Sequence, residues 1–174
     1  MLSLNIDCED IILKDIKRSD LPAILKWYNM TEKYKYATGI DKPISLQNLV
    51  EKYLEVLYCE SEFFAGIYLK RNNCLIGLMK GRLKKKEANA VWISSFLIDC
   101  DYQGCGYGKK SLNIVANYFK LYHSINTIYI SVIMENSEGI RFWCNNKFEP
   151  LRKMHNHIVL NGKEQDVILM KKEI

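Results

Sequence analysis

The first thing to notice in this chain is how little there is to place it outside an ordinary globular interior. No apolar run reaches the roughly 18–20 residues that a membrane-crossing helix requires, so no membrane partner is expected. The opening residues, Met1 to Asp10, show no basic stretch ahead of a long apolar core and do not read as a secretory signal. Six cysteines (Cys8, Cys59, Cys74, Cys100, Cys105, Cys144) are scattered, with no CxxC and no Cys/His set at zinc-ligand spacing. They read as reduced, mostly structural thiols, and no metal site is expected. Only 3 prolines occur in 174 residues, and no repeat or low-complexity tract marks a linker. One domain spanning 1–174 and a cytoplasmic location are therefore the default expectations. The net charge of +5 suits an anionic ligand but by itself selects none.

What is present is a regular alternation of patterns. Ile11 to Ile16 reads as a strand. Ser19 or Asp20 can cap a helix with Leu21, Ile24, Leu25 and Tyr28 at helical spacing and Pro22 in its tolerant first turn. Trp27 lies off that face and is expected to look outward. Asn29 to Pro43 has no period and reads as a loop. Ser45 opens a second helix with the stripe Leu46, Leu49, Val50, Tyr53, Leu54 and Leu57. Phe63–Lys70, Cys74–Leu83 and Val91–Asp99 are strands whose short links predict antiparallel hairpins. Between the last two, Lys84–Lys86 reads as a solvated turn rather than a nucleic-acid patch. A helix follows with Leu112, Val115, Phe119 and Tyr122 on one face, then a strand over Thr127–Val132 and a helix over Ser137–Asn146. Strand returns from Phe148, and Asn161-Gly162 predicts a two-residue hairpin between His155–Leu160 and Gln165–Met170. The order β α α β β β α β α β β predicts a mixed α/β (α+β) fold, mostly antiparallel, with one βαβ crossover.

One stretch carries chemistry. Asp101-Tyr-Gln-Gly-Cys-Gly-Tyr-Gly-Lys-Lys-Ser111 runs from the end of a strand into the start of a helix. Its alternate glycines let backbone approach a ligand closely. Unpaired N–H groups at a helix start attract phosphate. Two common phosphate motifs fail here. A P-loop, G-x-x-x-x-G-K-[ST], needs glycine where Gln103 stands and a hydroxyl where Lys110 stands. A dinucleotide fingerprint needs a third glycine where Lys109 stands, and an acid about 20 residues on. No Asp or Glu occurs between Asp101 and Glu135, which also leaves Lys109, Lys110 and Lys120 unopposed locally.

Gln103-x-x-Gly106-x-Gly108 does resemble the Q/R-x-x-G-x-G/A loop of the GNAT superfamily of N-acetyltransferases. Phe96 to Tyr102 resembles the strand and loop that lead into it, and Asn136 to Phe148 resembles the superfamily's second signature. The element order matches as well, so the resemblance covers nearly the whole chain. It implies a GNAT-like fold in which a central parallel pair, Val91–Asp99 and Thr127–Val132, splays apart, with helices on both faces.

It also implies acetyl-CoA as cofactor, with CoA as product. The backbone of Leu97, Ile98 and Asp99 would hydrogen-bond the pantetheine arm. The N–H groups of Gly104, Cys105, Gly106, Tyr107, Gly108 and Lys109 would take the pyrophosphate, with Gln103 as a fixed point of the loop. Asn136 would meet the pantetheine, and Phe142 or Trp143 would line the path unless it simply packs in the core. The activity implied is transfer of acetyl to a primary amine of a small molecule or peptide, by a monomer or homodimer. Trp27, Tyr34, Tyr36 and Trp92 form the expected acceptor wall. Glu32 and Asp41 are the only acids in the adjoining Asn29–Pro43 loop, few for a polycationic acceptor.

The chain departs from the superfamily at two catalytic places. Ser94 stands where many relatives carry a glutamate base, and Trp143 where many carry a tyrosine acid. An indole proton is not acidic enough to serve a thiolate. Three accounts remain open: a water chain past Ser94 and Ser95, a tyrosine from elsewhere such as Tyr34 or Tyr129, or no catalysis. The last makes the chain an acyl-CoA-binding sensor. Nucleic-acid binding is disfavoured because the lysines form no stripe with interleaved aromatics.

Overall fold

A computed structural model describes residues 1–84 and 89–174. The tip of the expected Lys84–Lys86 turn, from Lys85 onward, lies outside the described residues. The strands are β1 (Asn5–Asp7), β2 (Ile11–Asp15), β3 (Glu62–Leu69), β4 (Cys74–Lys84), β5 (Ala90–Ile98), β6 (Thr127–Ile133), β7 (Glu149–Leu160) and β8 (Lys163–Glu173). They form one open sheet in the order β1-β2-β3-β4-β5-β6-β8-β7. Every neighbouring pair is antiparallel except β5 and β6, which are parallel. The helices are α1 (Leu21–Asn29), α2 (Thr31–Thr38), α3 (Leu46–Leu57), α4 (Tyr107–His123) and α5 (Ser137–Asn145). No helix among the described residues is long and apolar enough to cross a membrane.

Side-chain alternation divides the sheet's two faces. Phe63, Ala65, Ile67 and Leu69 of β3 join Leu112, Val115 and Phe119 of α4 in one core. Phe64 points the other way and joins Leu21, Ile24, Leu49 and Val56 under α1 and α3. A strand covered on both faces reads as a continuous apolar run, which is what Phe63 to Leu69 is. The Asn161-Gly162 turn forms as expected, with φ of 53° and 70°.

Four expectations are corrected. The Asn29–Pro43 segment contains α2, hidden because Tyr34 is its one buried residue and its apolar pattern is weak. Trp27 is buried rather than outward, since its indole N–H reaches the Asp99 carboxylate at 2.7 Å. On α3, Val56 is buried while Leu46 and Leu54 are exposed, so the stripe is rotated from the one expected. On α4, Ala116 takes the core position expected for Tyr122, whose ring is exposed. The short β1 had no legible pattern.

The end of α5 shows how the sequence sets a chain direction at a local cost. The Lys147 N–H donates to the Cys144 carbonyl (2.9 Å) and the Phe148 N–H to the Trp143 carbonyl (3.0 Å). That double closure needs a left-handed residue at Lys147, where φ is 66° and glycine is preferred. The apolar contact that accompanies it is Trp143 on Phe148, ring centroids 4.9 Å apart. Lys147 also adds its charge to burial in depressing the Lys172 pKa. Lys147→Gly is therefore expected to stabilise the protein by about 1 kcal/mol, the left-handed penalty less the added freedom of the unfolded chain. Thermal melting checks this, with a rise of about 2–4 °C expected.

The site is created where the sheet comes apart. The β5–β6 ladder runs only from Ala90↔Thr127 to Ile93↔Ile130. On the other side of β5, Gly81 pairs with Ile93 and Lys80 with Ser95, so Ser94 is an extra residue in a bulge. A bulge bends its strand. Past Ser94, β5 stays with β4 while β6 stays with β8, and a wedge opens between them.

Candidate active site

The wedge holds a cleft of about 860 Å³ that continues to the start of α4. Of the residues expected to hold a cofactor, Leu97, Ile98, Gln103, Gly104, Gly106, Tyr107, Gly108, Lys109, Asn136, Phe142 and Trp143 all line it. Asp99 and Cys105 do not. The Asp99 carboxylate is engaged behind the wall, accepting from Trp27 and from the Asp101 N–H (3.1 Å). The Cys105 thiol faces solvent. Asp99, Cys100 and Asp101 are close enough to share an ion, but the Asp99 carboxylate is already committed in this way.

The glycine turn has the features of an anion cradle. Gly104 and Gly106 sit at φ of 74° and 82°, and a Cβ on either would enter open space. Their glycine identity serves backbone conformation and leaves the approach clear. The first bond within α4 runs from the Lys110 N–H to the Gly106 carbonyl (3.0 Å), so the N–H groups of Tyr107, Gly108 and Lys109 have no partner in the helix. At Gly108 a Cβ would come within 3.2 Å of Phe142, which packs the helix start against the aromatic wall. Gln103 donates to the Ile98 carbonyl at 2.7 Å and so fastens the turn to the strand end. That carbonyl, expected to face a pantetheine arm, already has one partner. Lys110 turns away from the cradle. It pairs with Asp10 at 2.6 Å and approaches Glu9 at 4.0 Å, so two acids beside β2 oppose it although none nearby in sequence does. Its hydrogen bond holds the Asp10 pKa below the usual carboxylate value. Lys109 remains as the cleft-lining cation of that turn.

Beyond the turn, Phe96, Phe142 and Trp143 form an aromatic wall, with Phe96 5.8 Å from each of the other two rings. Asn136 caps α5 by accepting the Gly139 N–H at 2.9 Å. A side chain at Gly139 would collide with that cap.

The residues considered for proton handling are placed less favourably. The Ser95 hydroxyl donates to the Ala37 carbonyl at 2.6 Å and ties α2 to β5. Ser94 donates to the Lys80 carbonyl at 3.3 Å. Tyr34 lines the cleft, but its oxygen accepts the Cys100 N–H at 2.8 Å. Burial, the Cys100 thiol and the Asp99 charge push its pKa well above the ordinary phenol range, outweighing the lowering effect of that N–H contact. Tyr129 stacks on Trp92 at 6.1 Å, and neither lines the cleft. Trp27, bonded to Asp99, does not line it either. The acceptor wall expected from four aromatics is thus reduced to Tyr34 and Tyr36.

Three carboxylates supplement them, only one of which was legible beforehand. Glu32, Glu135 and Glu138 line the cleft, and the Tyr36 hydroxyl reaches Glu135 at 3.4 Å. The expected shortage of acids is corrected, because Glu135 and Glu138 come from the β6–α5 junction and not from the loop. Sequence distance conceals this, since Tyr36 and Glu135 are 99 residues apart. Asp41 makes a second long-range tie, accepting the Asn161 N–H at 2.6 Å.

Known proteins share this fold. Over 69 residues, 40% of this chain, the sequence is 36% identical to a probable spermine N(1)-acetyltransferase of Bacillus subtilis subsp. natto. The matched stretch spans 45% of that relative's length. Spermidine N-acetyltransferase from Vibrio cholerae, solved in complex with CoA and spermine, superposes with a TM-score of 0.82 at 21% identity, covering 94% of this chain and 95% of that one. An acetyltransferase from Salmonella typhimurium that modifies the N-terminal serine of a 50S ribosomal-subunit protein gives 0.86 at 17% identity, over 98% of this chain and 99% of that one. These superpositions establish a common fold. Residues 13–169 match the acetyltransferase (GNAT) domain model, the span that contains the parted strands, the glycine turn and the Asn136-capped helix, and the chain belongs to that family.

Proposed function

We propose that this chain, acting as one unit, transfers acetyl from acetyl-CoA to a primary amine of a small cationic molecule. The observation that carries the reading is the continuity of the cleft. A phosphate-sized cradle at the start of α4 opens directly into the gap between β5 and β6. The N–H groups of Tyr107, Gly108 and Lys109, with the Lys109 charge, fit a pyrophosphate. The aromatic wall fits a narrow apolar arm. Bound there, acetyl-CoA supplies an activated thioester carbonyl.

The protein's own residues bind and orient. The Gln103–Ile98 bond holds the cradle against the end of β5. The Ser95–Ala37 bond holds α2 over the place where the strands part. An alkyl ammonium with a pKa of about 10.4 must first lose a proton, which costs about 4–5 kcal/mol at neutral pH. Partial desolvation in the cleft lowers that cost, and fixing amine and carbonyl together lowers the separate entropic barrier to attack. Glu32, Glu135 and Glu138 outnumber the one cation of α2 that lines the cleft, Lys33, and so favour a cationic acceptor. Spermidine and spermine, named for two of the similar proteins, are acceptors of this class. A peptide N-terminus, as in the Salmonella neighbour, is the second reading.

The test has two parts. Thermal melting with acetyl-CoA in large excess should rise by several degrees, because a ligand at about 100 times its Kd contributes about 2.7 kcal/mol. Dephospho-CoA should give a shift too, since it keeps the pyrophosphate. Thiol release is then followed with spermidine, spermine and a peptide with an N-terminal serine. No shift with either ligand overturns the proposal. A normal shift with no turnover on any amine points to a binding module instead.

A further inference from the structure

The described site leaves one chemical role without an owner, the group that takes the proton from the acceptor ammonium. The residues first considered are committed elsewhere: both serine hydroxyls donate to backbone carbonyls, Tyr34 accepts a backbone N–H, and Tyr129 lies outside the cleft. What remains is the three carboxylates that line it. Glu32 is an exposed side chain paired with Lys35 at 3.4 Å on the same helix. Glu138 is in the first turn of α5, where the helix dipole stabilises its charge. Glu135 differs from both in being held by another element.

We propose that Glu135 is the proton acceptor of the transfer, positioned by the Tyr36 hydroxyl. This rests on the acetyl-transfer reading above. Glu135 follows β6 immediately after that strand has parted from β5, so its backbone is at the edge of the wedge. The turn that carries it is tied down on both sides, by Met134 N–H to the Asp166 carbonyl (2.9 Å) and Asn136 N–H to the Ile133 carbonyl (2.9 Å). Tyr36 is equally anchored. Its ring packs on the cluster of Ile133, Leu160 and Val167, and its hydroxyl meets Glu135 at 3.4 Å across the cleft. The other charged groups lining the cleft are Glu32 and Lys33 of α2, Glu138 of α5 and Lys109 of α4.

The step balances without a further reactant. An N–H bond of the ammonium breaks and an O–H bond forms on a Glu135 oxygen. The freed lone pair attacks the thioester carbonyl, a C–N bond forms, and the C–S bond breaks with its electron pair on sulfur. A second proton leaves the nitrogen and ends on that sulfur. The proton on Glu135 passes to solvent, which restores the carboxylate. The net products are the amide, free thiol and one proton.

Glu135→Gln and Tyr36→Phe are compared with the wild type, using acetyl-CoA and whichever of spermidine, spermine or the serine peptide turns over fastest. At pH 7 Glu135→Gln should lower kcat about 10²–10⁴-fold, the range for losing a general base. Its acetyl-CoA melting shift should be unchanged. The deficit should shrink as pH rises toward the amine's own pKa of about 10, where the base is no longer needed. Tyr36→Phe keeps the carboxylate but loses its tether, and should lower kcat about 3–10-fold with the same convergence at high pH. Three results overturn the inference: Glu135→Gln within threefold of wild type at pH 7, a deficit equal at every pH, or a change confined to the KM of the amine. Absence of an acetyl-CoA shift in the wild type overturns the transfer reading itself. A normal shift with unimpaired variants overturns only the role of Glu135.

Discussion

Gly106→Val is expected to abolish the rise in melting temperature produced by acetyl-CoA. Gly106 is the residue from which α4 starts, at φ 82° and ψ −4°. A Cβ there meets no protein atom within 4 Å, so the new side chain enters open space at a residue that lines the cleft. A branched residue blocks that space and also disfavours the left-handed backbone. The folding penalty is about 1–2 kcal/mol, a fall of several degrees in melting temperature without ligand. Gly106→Ala shares the backbone penalty but adds a single carbon, and should keep part of the ligand shift. Melting curves of the three proteins with and without acetyl-CoA decide the matter. A folded Gly106→Val protein with the full shift would show that the phosphates bind elsewhere.

Gly81→Ala should be strongly destabilising. A Cβ at Gly81 collides with the Trp92 carbonyl oxygen of β5 and comes within 2.6 Å of the Phe63 ring. Neither obstacle can yield cheaply. Phe63 is fully buried and packs on Phe119 at 5.4 Å, and the Trp92 carbonyl moves only if β5 moves. A loss of about 3 kcal/mol is expected, at the upper end for overpacking, lowering the melting temperature by about 6–12 °C. Gly66→Ala is the useful contrast. Its Cβ would meet ring or methyl carbons of Tyr68, Leu75 and Ile16, side-chain ends that can shift, so the loss should be smaller. Gly81 also faces the bulge at Ser94, so a Gly81→Ala protein that folds should show a reduced acetyl-CoA shift. A melting temperature within 2 °C of wild type would refute the argument.

The contrast between these sites shows which parts of the molecule can be read from the chain. Features built within a few consecutive residues were legible. The Gln103–Gly108 turn and the Asn161-Gly162 hairpin each depend on local backbone geometry that few residue types satisfy. The β3–β4–β5 and β7–β8 hairpins followed from link lengths. Features that depend on a partner far along the chain were not legible. Nothing around Trp27 indicates that Asp99 will accept its N–H, and nothing around Lys110 indicates Asp10. The helix over Thr31–Thr38 was missed because it is stabilised by docking on β5 through Tyr34 and the Ala37 carbonyl rather than by an apolar stripe. The Tyr36–Glu135 contact depends on that same docking, which is why aromatic residues alone were expected to form the acceptor wall.

The short parallel ladder has a mechanical consequence. From Ala90 to Ile93 four residue pairs stitch the leaf containing β1 to β5 to the leaf containing β6 to β8, and past Ile93 the stitching stops. Two sheet halves joined at one end of a seam are a hinge. Helix α4 and the aromatic wall brace it from one side, and the Tyr36 and Asp41 ties, which reach β6 and the β7–β8 turn, brace it from the other. A molecule laid along the open part of the seam, bonded to both leaves, takes the place of the missing rungs. Such a molecule would complete the cohesion between the two leaves.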